Sequence, residues 1–171
     1  MDHRTQVMGI LNVTPDSFAD GGRHNTFALA LARAEEMIVE GVDIIDIGGE
    51  STRPGAERVS VEEEKNRTIP LITELQVRGI PLSIDTMRAE VAEAAISAGA
   101  TIVNDVSGGL ADPKMAPLLA RNKGVQYIAM HWRGHSRDMQ SKAYYDDVVR
   151  EDRAELDQRI TDLLDVGLDP E

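Results

Sequence analysis

A chain of 171 residues with a net charge of −12 and no cysteine excludes several kinds of protein. The lack of cysteine removes disulfide frameworks, thiolate metal sites and cysteine nucleophiles, and so acidic a chain is a poor candidate for binding nucleic acid or an anionic membrane. No apolar stretch approaches the roughly 20 residues that cross a bilayer, and no secretory signal is present, so we expect one soluble, cytoplasmic domain over residues 1–171.

Short runs rich in isoleucine and valine alternate with helical patterns along the chain. Several of the short runs are apolar almost throughout, which is typical of parallel strands that are buried on both faces. The sequence predicts five strands, at residues 7–13, 43–47, 82–85, 101–106 and 126–131. Five helices are predicted to follow them, at residues 26–40, 61–76, 88–98, 114–122 and 144–165.

The ends of the predicted helices carry residues that start and stop helices. Ser60 with Glu63 is typical of a capping box at the start of the second helix, and Asp112 before Pro113 predicts a cap for the fourth. Glycine takes the left-handed conformation that ends a helix. It follows every predicted helix, at Gly41, Gly79, Gly99, Gly124 and Gly167.

The alternation of strands and helices, without dinucleotide-binding glycines, predicts an α/β fold of the (β/α)8 TIM-barrel type. Such barrels usually need about 250 residues, so we expect the chain to form about the first five βα units of a barrel that is incomplete at the C-terminus. The alternative is a complete open sheet of five strands with helices on both faces. In a partial barrel the outer strands expose backbone groups, which predicts poor solubility or self-association.

Polar residues end all five predicted strands. In a parallel barrel these strand ends converge on one rim, where the functional loops lie. Any one such residue could be a turn or a cap, but together they predict a ring of carboxylates, amides and an imidazole that suits a polar heterocycle. The residues are Asn12, Glu50, Asp85, Asn104 with Asp105, and His131.

Five segments resemble the dihydropteroate synthase family of pterin-binding barrels, and they occur in the family's order. The two longest are NVTPDSF at residues 12–18 and GGESTRPG at residues 48–55, and the others are SIDT at 83–86, VNDVSGG at 103–109 and MH at 130–131. The resemblance implies a transferase of folate synthesis and a sulfonamide target. Such an enzyme condenses 6-hydroxymethyl-7,8-dihydropterin pyrophosphate with 4-aminobenzoate, releases pyrophosphate and acts as a homodimer.

The resemblance also implies roles for residues at the strand ends. Asn12 would lie beside Mg²⁺ and the pyrophosphate, where an amide oxygen suits a hard cation that keeps several waters; a loop cap is the alternative. Asp85 and Asn104 would pair with the N–H groups and ring nitrogens of the pterin's guanidine-like edge. Met130 would pack against the pterin, with plain core packing as the alternative.

Two loops carry the remaining residues that match the family. Asp16 would stabilise the dihydropterin cation that develops as pyrophosphate leaves, with an Asx-turn as the alternative. Phe18 would form a wall of the aminobenzoate pocket. Thr52, Arg53 and Pro54 match a second loop that helps to close this pocket, although a surface salt bridge is the alternative for Arg53.

Two positions and several missing motifs leave alternatives open. Asp105 and His131 could support the site by hydrogen bonding instead of contacting the substrate. The family's later motifs, which provide a second aspartate, a lysine and a Ser-x-Arg-x-His segment, do not occur in the sequence, so we expect this chain alone to be inactive. A pterin-dependent methyltransferase barrel and a non-catalytic pterin-binding fragment are the competing interpretations.

Overall fold

Five strands and five helices alternate in the computed structural model, which describes residues 4–14, 23–51, 58–135, 137 and 139–170. The strands are β1 (Met8–Asn12), β2 (Ile44–Gly48), β3 (Leu82–Asp85), β4 (Ile102–Asp105) and β5 (Gln126–Ala129). The helices are α1 (Arg23–Glu40), α2 (Val61–Leu75), α3 (Ala89–Ala98), α4 (Met115–Arg121) and α5 (Val148–Asp165), with short 3₁₀ helices at Gln76–Arg78 and Met139–Lys142. Every predicted strand and helix is confirmed, although some ends shift by a few residues.

The five strands form one parallel sheet in the order β1-β2-β3-β4-β5. A doubly wound sheet reverses its strand order at a switch point, whereas this order never reverses. Right-handed crossovers that always step to the next strand place the helices on one face, and helices α1 to α4 contact one another in sequence. The described residues therefore have the winding of a barrel's first five βα units, and the open sheet with helices on both faces is wrong.

The hydrophobic core lies between the sheet and its layer of helices. Alternate strand residues, such as Ile47 and Ile84, are completely buried and form one cluster with the buried residues of α2 and α3. Since successive strand residues point to opposite faces, this packing also decides which residues point away from the helices. The helices contribute Leu71, Ile72, Leu75, Val91, Ala92 and Ala95 to the cluster.

Side chains at the helix ends also connect neighbouring βα units. Ser60 accepts a hydrogen bond from the backbone N–H of Glu63 (3.1 Å), as the capping box predicts. The predicted cap residue Asp112 lies two residues before the boundary residue Lys114, which makes no side-chain cap of its own. The Asp112 carboxylate instead accepts from the backbone N–H of Ala89 in the first turn of α3 (2.8 Å) and from that of Lys114 (2.9 Å). The loop after β4 thus caps the preceding helix.

Local capping also explains the largest shift of a helix boundary. Helix α5 begins at Val148 instead of Tyr144, because the side chain of Asp147 accepts the backbone N–H of Arg150 (3.1 Å). At the other end of the helices, all five predicted glycines have positive φ values, for example +117° at Gly99. The predicted stop signals are therefore confirmed.

Candidate functional site

One row of residues crosses the face of the sheet that points away from the helices. The strand register aligns Asn12 with Gly48, Gly48 with Asp85, and Asp85 with Asn104. Residues aligned in this way share a face, and Gly48 follows the core residue Ile47, so the row lies opposite the core. Three of the predicted polar residues, from three different strands, are therefore brought together.

Gly48 keeps the middle of this row open. A Cβ atom at Gly48 would lie 3.2 Å from Oδ1 of Asn12 and 3.6 Å from Oδ2 of Asp85. Any side chain at this position would fill the space between the amide and the carboxylate. The glycine therefore leaves room for a ligand between two polar groups.

A second aspartate lies on the same face, one step closer to the strand beginnings. Asp46 is 3% exposed, and its Oδ2 atom accepts a hydrogen bond from Nδ2 of Asn104 (2.9 Å). Asp46 is not among the site residues that the sequence predicts. The available signal was a single carboxylate inside the apolar strand Ile44–Gly48, at a position where strand alternation points away from the helices.

Three buried polar atoms on this face have no hydrogen-bond partner within the described residues. They are Oδ1 of Asp46, Oδ1 of Asn104 and Oγ of Ser83. Buried polar groups are normally paired, and leaving one unpaired costs about 1–3 kcal/mol. The first two atoms only accept hydrogen bonds, so a ligand that donates N–H groups would satisfy both.

The carboxyl group of Asp85 has a pKa near neutral pH. Burial, followed by the negative charge of Asp46, raises the pKa of Asp85 to about 7. Carboxyl groups with such a displaced pKa in a cleft are common in functional sites. A ligand that donates N–H groups to Asp85 favours its ionised form. The row is therefore suited to the N–H-bearing edge of a planar heterocycle.

The fifth strand adds an apolar wall to this face. Ile128 is aligned with Asn104 in the strand register, and Met130 lies two residues further along the chain. Both side chains are 36% exposed. Met130 also lines a cavity of about 230 Å³ together with Met87 and Val106. The predicted packing residue thus lies beside the polar row.

Asp105 faces the helices instead of the predicted ring. It is completely buried and accepts hydrogen bonds from the backbone N–H (2.8 Å) and hydroxyl (2.7 Å) of Ser107, the N–H of Gly109 (2.9 Å) and the hydroxyl of Tyr127 (3.0 Å). Burial and this carboxylate raise the pKa of Tyr127 above its usual range. Asp105 therefore holds the loop after β4 in place and supports the neighbouring Asn104 from the helix side of the sheet.

Glu50 and His131 also point away from the row, so the predicted ring is wrong for them. The ring nitrogens of His131 lie 2.8 Å from Asp152 and 2.7 Å from Glu155, which both belong to α5. Glu50 is buried beside the guanidinium of Arg88 (2.9 Å). Each residue lies two positions beyond the last residue of its strand, where alternation across the sheet no longer sets the direction of a side chain.

Five predicted substrate residues lie outside the described part of the chain. Two of them belong to the segment that follows β1, and three belong to the segment that follows β2. Their roles stay predictions from the resemblance. They are Asp16, Phe18, Thr52, Arg53 and Pro54.

Comparisons with known proteins agree with this geometry. The family model described as pterin binding enzyme matches residues 8–171. The dihydropteroate synthase of Mycobacterium leprae is 50% identical over 166 residues, which cover 96% of this chain and 58% of the relative. That of Synechocystis sp. is 52% identical over 151 residues, covering 88% and 52%. A solved structure of Xanthomonas albilineans dihydropteroate synthase with 4-aminobenzoic acid superposes with a TM-score of 0.89 at 45% identity, covering 98% of this chain and 59% of that one. The chain thus spans just over half the length of these relatives.

Proposed function

This chain belongs to the family of pterin binding enzymes, and we propose that it supplies the pterin-binding part of a dihydropteroate synthase. The proposed transferase condenses 6-hydroxymethyl-7,8-dihydropterin pyrophosphate with 4-aminobenzoate, giving 7,8-dihydropteroate and pyrophosphate. About half of the aligned residues are identical to those of two dihydropteroate synthases, and the similar Xanthomonas structure contains 4-aminobenzoic acid. These similarities support the reaction and both substrates.

The observation that carries the proposal is the polar row with its unpaired acceptor atoms. In its ionised form, Asp85 accepts two neighbouring N–H groups from the guanidine-like edge of the pterin. The amide of Asn104 donates to a ring nitrogen or accepts from an N–H group. Asp46 holds that amide in place and offers its own unpaired oxygen to the ligand.

We propose that Asn12 lies beside a bound Mg²⁺ ion. Within the described residues, no group of three or more histidine, aspartate or glutamate side chains is placed to hold a metal ion. An exposed amide oxygen at the end of β1 fits a hard cation whose other ligands are water and pyrophosphate oxygens. When bound, the ion would neutralise charge on the departing pyrophosphate. We assign Asn12 to this position.

The two loops after β1 and β2 carry the remaining residues of the proposed site. We assign Asp16 to the stabilisation of the cation that forms on the pterin as pyrophosphate leaves. We assign Phe18, Thr52, Arg53 and Pro54 to the aminobenzoate pocket. Closure of these loops over the ligands would exclude water from the reactive cation.

We also propose that the whole protein is a cytoplasmic homodimer that binds neither nucleic acid nor membranes. The homodimer rests on the resemblance to the family. The net charge of −12 opposes binding to anionic partners. In the described part of the chain, no helix combines the length and the hydropathy that crossing a membrane requires.

Ligand binding to the 171-residue chain tests the proposal. We expect saturable binding of 6-hydroxymethylpterin, and at least about tenfold weaker binding in Asp85→Asn, because an amide cannot accept two N–H groups as a carboxylate does. Asp157→Asn is the matched control, because this α5 carboxylate is 67% exposed. Equal affinity of Asp85→Asn and the wild type would remove Asp85 from the site.

Pyrophosphate release separates the synthase from its alternatives. We expect this chain to bind pterin but to release no pyrophosphate in response to 4-aminobenzoate and Mg²⁺, because it carries only part of the proposed pocket. Release that depends on aminobenzoate would show that these five strands suffice for the reaction. The alternatives can be tested in a full-length protein that contains this region. If it binds pterin but never uses aminobenzoate, the result would favour the methyltransferase or the non-catalytic binding protein.

A further inference from the structure

Glu64 is a buried residue between the ends of two strands that carry the polar row. It lies in the first turn of α2 and is 1% exposed. It approaches the residue after β2 so closely that a Cβ atom at Gly49 would lie 3.2 Å from Cγ of Glu64. Its Oε1 atom accepts a hydrogen bond from the hydroxyl of Thr86 (2.6 Å), the residue after Asp85. One side chain of the helix layer therefore contacts the ends of both β2 and β3.

Thr86 connects this carboxylate to the polar row. Its hydroxyl donates to Glu64 and accepts from the backbone N–H of Arg88 (3.2 Å). Its own backbone N–H donates to the carbonyl oxygen of Asn104 (3.0 Å), which extends the pairing of β3 with β4 beyond the aligned pair of Asp85 and Asn104. Asp85 is therefore followed by a residue that is fixed both to the helix layer and to the neighbouring strand.

A guanidinium compensates the charge of Glu64. Nη1 of Arg88 donates to Oε2 of Glu64, the carboxylate oxygen that does not bind Thr86. Burial raises the pKa of Glu64 above its usual range, although the hydroxyl of Thr86 and the guanidinium of Arg88 oppose the shift. Because a buried carboxylate with both a cation and a further hydrogen bond is compensated, Glu64 can keep its negative charge inside the protein.

The charge of Glu64 also acts on Asp85. Burial raises the pKa of Asp85 most, and four nearby carboxylates raise it further. In decreasing order of effect they are Asp46, Glu64, Asp105 and Glu50. Arg88 pairs with two of the four, Glu64 and Glu50. Removal of the Glu64 charge should therefore favour the ionised form of Asp85.

We propose that Glu64, acting through Thr86, is a positioning residue for Asp85. It anchors the end of β3 to the helix layer, so that the Asp85 carboxylate meets two neighbouring N–H groups of a pterin in a fixed orientation. The proposal rests on the proposed function, in which Asp85 binds the N–H-bearing edge of the pterin. The resemblance to the family gives no role to Glu64 or Thr86.

A double-mutant cycle on the 171-residue chain tests whether Thr86 acts through Asp85. We expect Thr86→Val to weaken the binding of 6-hydroxymethylpterin about threefold to tenfold, because valine keeps the shape of threonine but cannot donate to Glu64. In the Asp85→Asn background the same change should alter the affinity less than about twofold, because the carboxylate that it positions is gone. No loss in the wild-type background, or an equal loss in both backgrounds, would overturn the proposal.

Two further threonine variants control this cycle. Thr86→Ser keeps the hydroxyl, so its affinity for the pterin should stay within about twofold of the wild-type value. Thr73→Val removes a hydroxyl that donates to the backbone oxygen of Ile69 (2.9 Å) at an exposed position of α2, and it should leave the affinity unchanged. A loss in Thr86→Ser as large as that in Thr86→Val would assign the effect to packing and would contradict the role of the hydrogen bond to Glu64.

The titration of Asp85 tests Glu64 without a ligand. Carboxyl-carbon NMR of the free chain should show the midpoint of Asp85 about half a pH unit lower or more in Glu64→Gln than in the wild type. Glu62→Gln is the matched control, because it removes a 78% exposed charge from the same helical turn and should leave the midpoint unchanged.

An unchanged midpoint in Glu64→Gln would overturn the proposal. If Glu64→Gln does not fold, the cycle at Thr86 decides the question. If the wild type binds no pterin, the proposed function fails, and the titration of Asp85 still decides the role of Glu64.

Discussion

The centre of the sheet and the β5–α5 side are held in place by different forces. In β2 and β3, Ile47 and Ile84 are completely buried against the helix layer. Strand β5 alternates between exposed and partly buried residues, and within α5 only Leu163 is buried among the described side chains. Arg133 instead ties this side to α5 through ion pairs with Glu151 and Glu155, and a ring nitrogen of His131 lies 2.7 Å from Glu155.

The candidate site is therefore more rigid at the centre of the sheet than on its β5 side. A buried aliphatic side chain contributes about 1.5–3 kcal/mol whatever the salt concentration, whereas an exposed ion pair contributes about 0–1 kcal/mol and is screened by salt. Asp46, Asp85 and Asn104 belong to strands whose other face packs in the apolar core. Their positions are therefore set before a ligand binds. Met130 stands on the side held by ion pairs, so the apolar wall of the site is the more adaptable part.

The largest effect should come from the apolar centre. Ile84→Ala should lower the free energy of unfolding by about 2–5 kcal/mol, because it leaves a cavity in the core. The matched change Ile160→Ala, at a side chain of α5 that is 51% exposed, should cost about 0.5 kcal/mol or less. Chemical denaturation measures both values, and similar costs would break the proposed contrast between the two regions.

The pH dependence of Asp85 should produce the next largest effect. Its folded pKa of about 7 lies above the unfolded value, so the folded state binds more protons between pH 4 and pH 7 and loses stability as the pH rises through this range. Asp85→Asn should therefore be more stable than the wild type at pH 8, by up to about 4 kcal/mol, and this advantage should vanish near pH 4. Denaturation at several pH values measures the difference, and a constant difference would contradict the raised pKa.

Two adjacent glycines at the centre of the sheet lie on its opposite faces. Gly49→Ala places a Cβ atom 2.9 Å from Cγ2 of Thr68 and 3.1 Å from the backbone oxygen of Glu64, so it should cost about 1–3 kcal/mol. Gly48→Ala points to the other face, so it should cost less stability but should weaken pterin binding. Thermal unfolding and pterin titration of both variants test this division. Equal losses of stability would show that the open face is packed as tightly as the core.

The smallest effect should come from the ion pairs of α5. The guanidinium of Arg133, followed by His131, lowers the pKa of Glu155 to about 2. This contribution is present above the unfolded pKa of Glu155 and is lost as the pH falls towards 2. Because the pairs are exposed, Glu155→Gln should cost less than about 1 kcal/mol at pH 7, and less again in high salt. A larger cost that resists salt would mean that α5 is held as firmly as the centre.

Local signals in the sequence were sufficient for the architecture. Apolar strands and helix-ending glycines depend on a few adjacent residues, and all ten predicted elements are confirmed. The faces of the strands were harder to predict, because a shift of one residue exchanges the two faces. Asp46 was missed and Asp105 was placed on the wrong face for this reason. Glu50 was misplaced because its partner Arg88 belongs to a different βα unit, and no local pattern indicates such a contact.

The unreversed strand order also has a consequence for how the chain folds. Within the sheet that the structure describes, each strand after β1 pairs with the strand made just before it, so none of these four pairings waits for a distant part of the chain. Contacts between elements that are near in sequence favour rapid folding, and a domain made on the ribosome emerges from its N-terminus. The sheet can therefore grow in the direction of synthesis, with each new βα unit docking on a finished edge. A defect in β2 would then be felt before β5 has been translated.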